Sequence, residues 1–243
     1  MKQVRRRHHK RGHRRVPLIL RPDHPAMVEG RSIHPNLIHS VQPDTWVLKS
    51  GEHSSKLGDR IVTGEWAGSA IYHLRLEERK TCWIGCQQRG GCYLNNEHWP
   101  RAIRWNVDVA LYTRLLIELD VLLYRHRWVA IRLHEGGDFP SIEYVRFWLD
   151  AVKAQPRLRL FGFTHWPRSH PVGAAIEAES ERWDRFRIRF SDNHRGERTA
   201  HVIEAGEESK GHLCLATDER SEVTCGHCAY CINFTGEMSL RRH

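Results

Sequence analysis

The stretch that decides the fold is Trp128-Val-Ala-Ile-Arg-Leu133, followed by His134-Glu-Gly-Gly-Asp-Phe-Pro140 and Ser141. Residues 128–133 form a strongly β-prone run. Residues 134–140 carry the glycines, acid and proline of a loop. Ser141 can cap a helix over about 142–154, whose apolar face is Ile142, Val145, Trp148, Leu149 and Val152 and which stops before Pro156. Residues 157–163 read as a strand again. A strand, a helix and a strand in this order make a βα unit, with parallel pairing across the helix.

The same alternation extends in both directions. Upstream lie a short strand at 45–49, turn composition at 50–58, an alternating strand at 71–76 and a helix over 106–124. Downstream lie a helix near 172–182, a strand at 186–190 and one more strand at 199–204. Five or six strands are too few for a closed eight-stranded barrel. The expectation is an α/β chain built as a partial, open βα barrel with mostly parallel strands. Residues 1–44 read as a basic tail and irregular arm, 45–205 as the βα domain, and 206–243 as a cysteine-rich, metal-binding C-terminal extension.

Charge is concentrated at one end. Residues 1–15 hold eight Lys or Arg and no acid, which leaves only +1 of the chain's +9 for everything after them. Such a tail makes loose, charge-driven nucleic-acid contacts or simply stays solvated. No apolar run approaches a membrane span, and the N-terminus has no apolar core of a secretory signal. A cytoplasmic location is expected, with no membrane partner.

All seven cysteines fall in two groups. Cys225-Gly-His-Cys228-Ala-Tyr-Cys231, with Cys214 upstream, has the compact spacing that wraps an iron–sulfur cluster; zinc is the competing occupant. His227, between two of these cysteines, reads as a supporting or exposed residue. Cys82, Cys86 and Cys92 follow a strand directly, and Gly85, Gly90 and Gly91 let their loop fold back tightly. Three thiolates leave a cluster with one open iron. Zinc completed by His98 is a second reading, and three buried free thiols a third.

Polar residues end three successive strands. Gly136, Gly137 and Asp138 suit close backbone approach to a ligand, and the Asp138 carboxylate could accept from it. His134 is a candidate proton-transfer group, or a histidine in a structural hydrogen bond. Thr164 and Ser191 end the next two strands, with Asp192, Asn193 and His194 beyond. Together they suggest the rim of one pocket that binds a cofactor or substrate.

The order three-cysteine loop, helix, strand ending Gly-Gly-acid, helix, strand resembles the radical S-adenosylmethionine (SAM) enzymes. That resemblance implies a [4Fe–4S] cluster on Cys82, Cys86 and Cys92, with SAM on the fourth iron and positioned by Gly136, Gly137 and Asp138. It also implies an auxiliary [4Fe–4S] cluster on Cys214, Cys225, Cys228 and Cys231. The gap between Cys86 and Cys92 is five residues where that superfamily has two, and Asp138 stands where it has Glu. Ser55-Lys-Leu-Gly58, the Cys82–Cys86–Cys92-Tyr93 loop and His134-x-x-Gly-Asp-Phe-x-Ser-x-x-Tyr144 are similar to an uncharacterised phage family named after a "gene product 88". This second resemblance implies a phage origin and a role in the host cytoplasm. The expected activity is that of a radical-SAM-like iron–sulfur enzyme on an unknown substrate. The rivals are a non-catalytic metal-stabilised protein that binds nucleic acid or a host protein, and a zinc enzyme acting on a nucleotide or base.

Overall fold

The computed structural model describes residues 18–54, 56–96, 102–191, 196–204, 206–217 and 221–241. The basic tail, Ser55, His98 and the trio Asp192, Asn193 and His194 lie outside them. In chain order the elements are α1 (Pro25–Val28), β1 (Ile38–His39), β2 (Lys49–Ser50), β3 (Ala70–Arg75), β4 (Arg104–Trp105), α2 (Val109–Arg125) and β5 (Val129–Gly136). They continue with α3 (Ile142–Ala154), β6 (Leu158–Thr164), α4 (Pro171–Arg182), β7 (Phe186–Ser191) and β8 (Thr199–Ile203). The last are β9 (His212–Leu213), α5 (Cys225–Cys228), α6 (Tyr230–Asn233) and β10 (Met238–Arg241).

The architecture is mixed α/β around an open, mostly parallel sheet. Its strand order is β2-β3-β5-β6-β7-β8-β10-β9, and only β2 runs antiparallel to its neighbour. The expected short set of five or six strands is corrected to eight. The additions are two- to four-residue strands whose partners are remote in sequence, including β9 and β10 from the cysteine-rich segment. A separate parallel pair joins β1 to β4.

Three helices fall close to the expected spans, with α2 starting at Val109 rather than at 106. Asp108 caps α2 by accepting from Leu111 N at 2.9 Å, Ser141 caps α3 by accepting from Tyr144 N at 3.2 Å, and His170 Nδ1 caps α4 by accepting from Val172 N at 3.2 Å. Two strand expectations shift. Residues 45–48 are not a strand, because the amides of Val47 and Leu48 donate to the buried Glu118 carboxylate at 2.6 and 2.8 Å. Residues 134–136 are strand rather than loop, because β3 runs on to pair Arg75 with Gly136 and Leu76 N donates to Gly136 O.

The two faces of the sheet differ in kind. Val129, Ile131, Leu158, Leu160, Phe186 and Ile188 pack with Leu115, Trp148 and Ile176 of α2, α3 and α4 in the main core. The opposite face carries a smaller apolar cluster: Ile71, Ala130 and Phe161 of the sheet against Leu57, Ile61, Trp66, Ala229 and Ile232. Cys225 and Cys231 pack against that second cluster. Strands β5, β6 and β7 also hold Arg132, Arg159, Arg187 and Arg189 at the positions that alternate with the main-core residues, which is unusual for parallel strands covered on both faces. Among the described residues no helix is long and apolar enough to cross a membrane.

Candidate functional site

The three-cysteine loop leaves β3 and folds back onto the end of β5. Gly136 and Gly137 make that contact feasible. A Cβ on Gly136 would lie 2.9 Å from Leu94 Cδ1. One on Gly137, whose φ is +79°, would lie 2.7 Å from Thr81 Oγ1 and 2.8 Å from Leu76 Cβ. The close approach expected of a ligand here is made by the protein's own loop. Thr81 Oγ1 donates to Glu77 O and accepts from Asp138 N, joining the loop to the strand end.

Beneath the loop lies a buried polar cluster. Glu78 Oε1 pairs with Arg79 Nη1 at 3.2 Å and accepts from Ser32 Oγ at 2.7 Å; Glu78 Oε2 pairs with Arg104 Nε at 2.9 Å. Arg79 also donates to Asn95 Oδ1, and Arg89 Nη1 donates to Arg79 O at 3.1 Å. Glu78 and Arg104 are wholly buried. Two guanidinium groups thus share one carboxylate beside Cys92.

Cys82, Cys86 and Cys92 are partly buried and act on one another electrostatically. Burial raises the Cys82 thiol well above its usual range, with Asp138, Cys92 and Cys86 adding to it and a backbone hydrogen bond from Arg79 opposing. Burial lifts Cys92 to about 11 against a backbone bond from Leu94 and the charges of Arg79 and Arg104. Among the described residues no three His, Cys, Asp or Glu side chains stand in a ready metal-holding arrangement.

Asp138 and His134 take specific places. Asp138 is buried; Oδ1 accepts from Phe139 N at 2.7 Å and Oδ2 from His165 N at 2.8 Å, and Thr164 adds a side-chain bond. Burial raises its pKa against these bonds. The carboxylate latches the end of β5 to the end of β6. His134 lies among the main-core aromatics, with Nε2 at 2.9 Å from Tyr144 Oη and its ring 4.9 Å from Phe139. Burial, reinforced by Arg132, holds it neutral with a pKa of about 3. That is the geometry of a structural histidine. Thr164 accepts from Trp166 N at 3.1 Å, and Ser191 is buried at the end of β7, one strand over.

Sequence reasoning missed Glu135, His73, Arg75 and Arg132. Glu135 Oε2 receives His73 Nδ1 at 2.8 Å and Arg75 Nη2 at 2.6 Å. Burial pushes the Glu135 carboxyl up, but His73 and Arg75 outweigh it and hold the pKa at about 2. Arg132 lies over the Phe163 ring at 4.5 Å and acts on Tyr93, next to the first cysteine group, and on Cys225 and Cys231 of the second. Its charge thus reaches a neighbour of the first group and two thiols of the second. The only hint was charge at alternate positions of strong strands.

The second group gathers under the sheet's smaller core. Cys225 feels Cys231, Cys214 and Cys228, with burial the first cause of its raised pKa. Burial lifts Cys231 to about 11, opposed chiefly by Arg189. Arg189 is 1 % exposed and, among the described residues, bonds only backbone: Nη1 donates to Gly236 O at 2.7 Å and Nη2 to Phe234 O. His227, between two cysteines, is exposed, with Nδ1 2.8 Å from Thr224 Oγ1.

Both cysteine groups and the Gly-Gly-Asp turn lie within one matched region. A family profile described as Gene product 88 matches residues 46–235. The chain belongs to that family. The match spans the gene product 88 region from just before β2 through α6 and leaves out the basic tail. No curated protein and no solved structure matches the chain.

Proposed function

We propose that this phage gene product 88 protein is an iron–sulfur protein of the radical-SAM type. Cys82, Cys86 and Cys92 would hold a reactive centre, and Cys214, Cys225, Cys228 and Cys231 a closed one. The observation that carries this is a buried positive charge beside the second group. Arg189, beside the second group, is buried and has no carboxylate partner among the described residues. A guanidinium keeps its proton inside proteins, and leaving it uncompensated there costs several kcal/mol. Metal-bound thiolates supply the missing negative charge. The charge of Arg189 therefore suits an anionic metal–thiolate centre at the second group, and the three clustered thiols of the first supply donors of the same kind. The two two-residue gaps in Cys225–Cys231 favour iron–sulfur over zinc at the second.

A [4Fe–4S] cluster held by Cys82, Cys86 and Cys92 would supply the electron for one-electron cleavage of SAM. The chain's own residues do the positioning. Gly136 and Gly137 seat the loop on β5, and Asp138 fixes the neighbouring strand ends. Arg132 presents a cation to Tyr93 and to Cys225 and Cys231, and Thr164 and Ser191 stand at the strand ends that would form the rim for an unknown substrate. The uninterrupted neighbour order of β3, β5, β6, β7 and β8 supports the curved, open βα barrel such enzymes use. The family supports action in the host cytoplasm.

The test is metal and acid-labile sulfide content after anaerobic purification, for wild type and for Cys82→Ala/Cys86→Ala/Cys92→Ala. About eight irons and eight sulfides, halved in the variant, is the expected result for two [4Fe–4S] clusters. The reduced wild type should then convert SAM to methionine and 5′-deoxyadenosine. Zinc alone would discard the radical mechanism and favour a zinc enzyme or a metal-stabilised binding protein.

A further inference from the structure

We propose that His212 is a positioning residue of the C-terminal centre, holding Cys228 through an N–H···S hydrogen bond. The inference rests on the reading that Cys214, Cys225, Cys228 and Cys231 share a metal centre. His212 Nε2 lies 3.4 Å from Cys228 Sγ. A metal-bound thiolate only accepts, so Nε2 carries the hydrogen and donates.

The ring is clamped in that orientation. Its face stacks on Tyr230 at 4.0 Å with an interplanar angle of 11°, and Tyr230 stacks in turn on Phe234 at 5.1 Å. The Arg189 guanidinium lies 5.4 Å from the Tyr230 ring. Two bonds converge on one carbonyl: His212 N donates to Glu237 O at 3.1 Å, and Tyr230 Oη donates to the same oxygen at 3.3 Å. In the sheet, β9 pairs His212 with Met238 of β10.

The arrangement is economical in chain. The two-residue strand β9 leads directly into Cys214, so one short element delivers a thiol and the support for another. Tyr230 directly precedes Cys231, so the stack also ties that thiol's backbone to the same unit. Backbone bonds from Ala216 and Thr217 favour the thiolate at Cys214. Donors of this kind stabilise the thiolate and fix its orientation, which aids metal retention, and they draw charge off sulfur, which raises the potential of a redox centre. The cysteine spacing cannot reveal His212, because it lies sixteen residues before Cys228.

The test uses the full chain carrying Cys82→Ala/Cys86→Ala/Cys92→Ala, so that only the C-terminal centre is read. Into this parent go His212→Phe, which keeps the stacked ring without the donor, and His212→Gln, which keeps a donor near Nε2. Metal release to EDTA is followed for all three, with the midpoint potential where iron and sulfide are found. His212→Phe is expected to hold its metal about 10–100-fold more weakly and to have a lower potential, while His212→Gln stays close to the parent. Equal retention by His212→Phe and the parent overturns the proposal. Equal loss by both variants also overturns it and makes His212 a ligand. A parent without metal removes the centre itself, and this inference with it.

Discussion

The two cysteine regions are built on opposite foundations. The three-cysteine loop rests on polar groups: the Glu78–Arg79–Arg104 cluster below and the Thr81–Asp138 bonds at the strand end. The four-cysteine segment rests on apolar ones, with Cys225 and Cys231 packed against Ile71, Ala130, Phe161 and their neighbours. A loop fixed through its backbone can leave one coordination position open without losing its shape. A thiol set that forms part of a core cannot. Stability should therefore depend on the second region far more than on the first.

The largest effect is expected from Cys225→Ser/Cys231→Ser. It removes two thiols from a packed cluster and the closed centre with them. The melting temperature should fall by roughly 10 °C, corresponding to about 4 kcal/mol. Cys82→Ala/Cys86→Ala/Cys92→Ala should lower it by less than half as much. Equal falls in a thermal scan would break the contrast.

Next is Arg104→Met. It removes one partner of a wholly buried ion pair and should cost about 3 kcal/mol in urea unfolding. It should also weaken metal retention at the loop and leave the C-terminal centre loaded. Gly137→Ala forces a side chain into a φ of +79° and into contact with Thr81 and Leu76. About 2 kcal/mol of destabilisation is expected, with loss of loop metal only. Loss from both centres would show that the regions are not independent.

The smallest effect, read over a single pH unit, is a pH dependence that belongs to neither region. His134 is neutral in the fold down to about pH 3, whereas the unfolded chain protonates it near 6.5. The unfolded state therefore binds the extra proton between these values, and stability falls as pH drops from 6.5 towards 3. The slope is about 1.4 kcal/mol per pH unit. Glu135, held at about 2, adds a loss of the same sign from its usual 4.5 downward. Between pH 6 and 5 the slope should flatten in His134→Phe. A slope that survives there would assign the acid sensitivity elsewhere, including to the cysteine regions.

How much was legible follows the range of each interaction. The β5–α3–β6 unit could be read because its periodicity, cap and stop lie within forty residues. Residues 45–48 were misread because the groups that satisfy Val47 and Leu48 lie on α2. Strands β9 and β10 were invisible because a short segment pairs only when a remote one is in place. The cysteines, the glycines and Asp138 were legible through spacing. Arg132, Arg189, Glu135 and His73 were not, because charged residues alternating along a strand look like a solvent face. Here they face a covered interior, which only the topology discloses. His212 was passed over among many histidines.

Strand β10 follows β9 in sequence yet lies between β8 and β9 in space. Strand β9 therefore has no sheet neighbour until β10 has inserted, and the segment between them must already be looped over the sheet. That segment carries Cys225, Cys228 and Cys231, and Cys214 joins them just after β9. The outer edge of the sheet is therefore complete only with β10 in place between β8 and β9. The four thiols thus stand on a segment that the sheet holds at both ends, through β9 and β10.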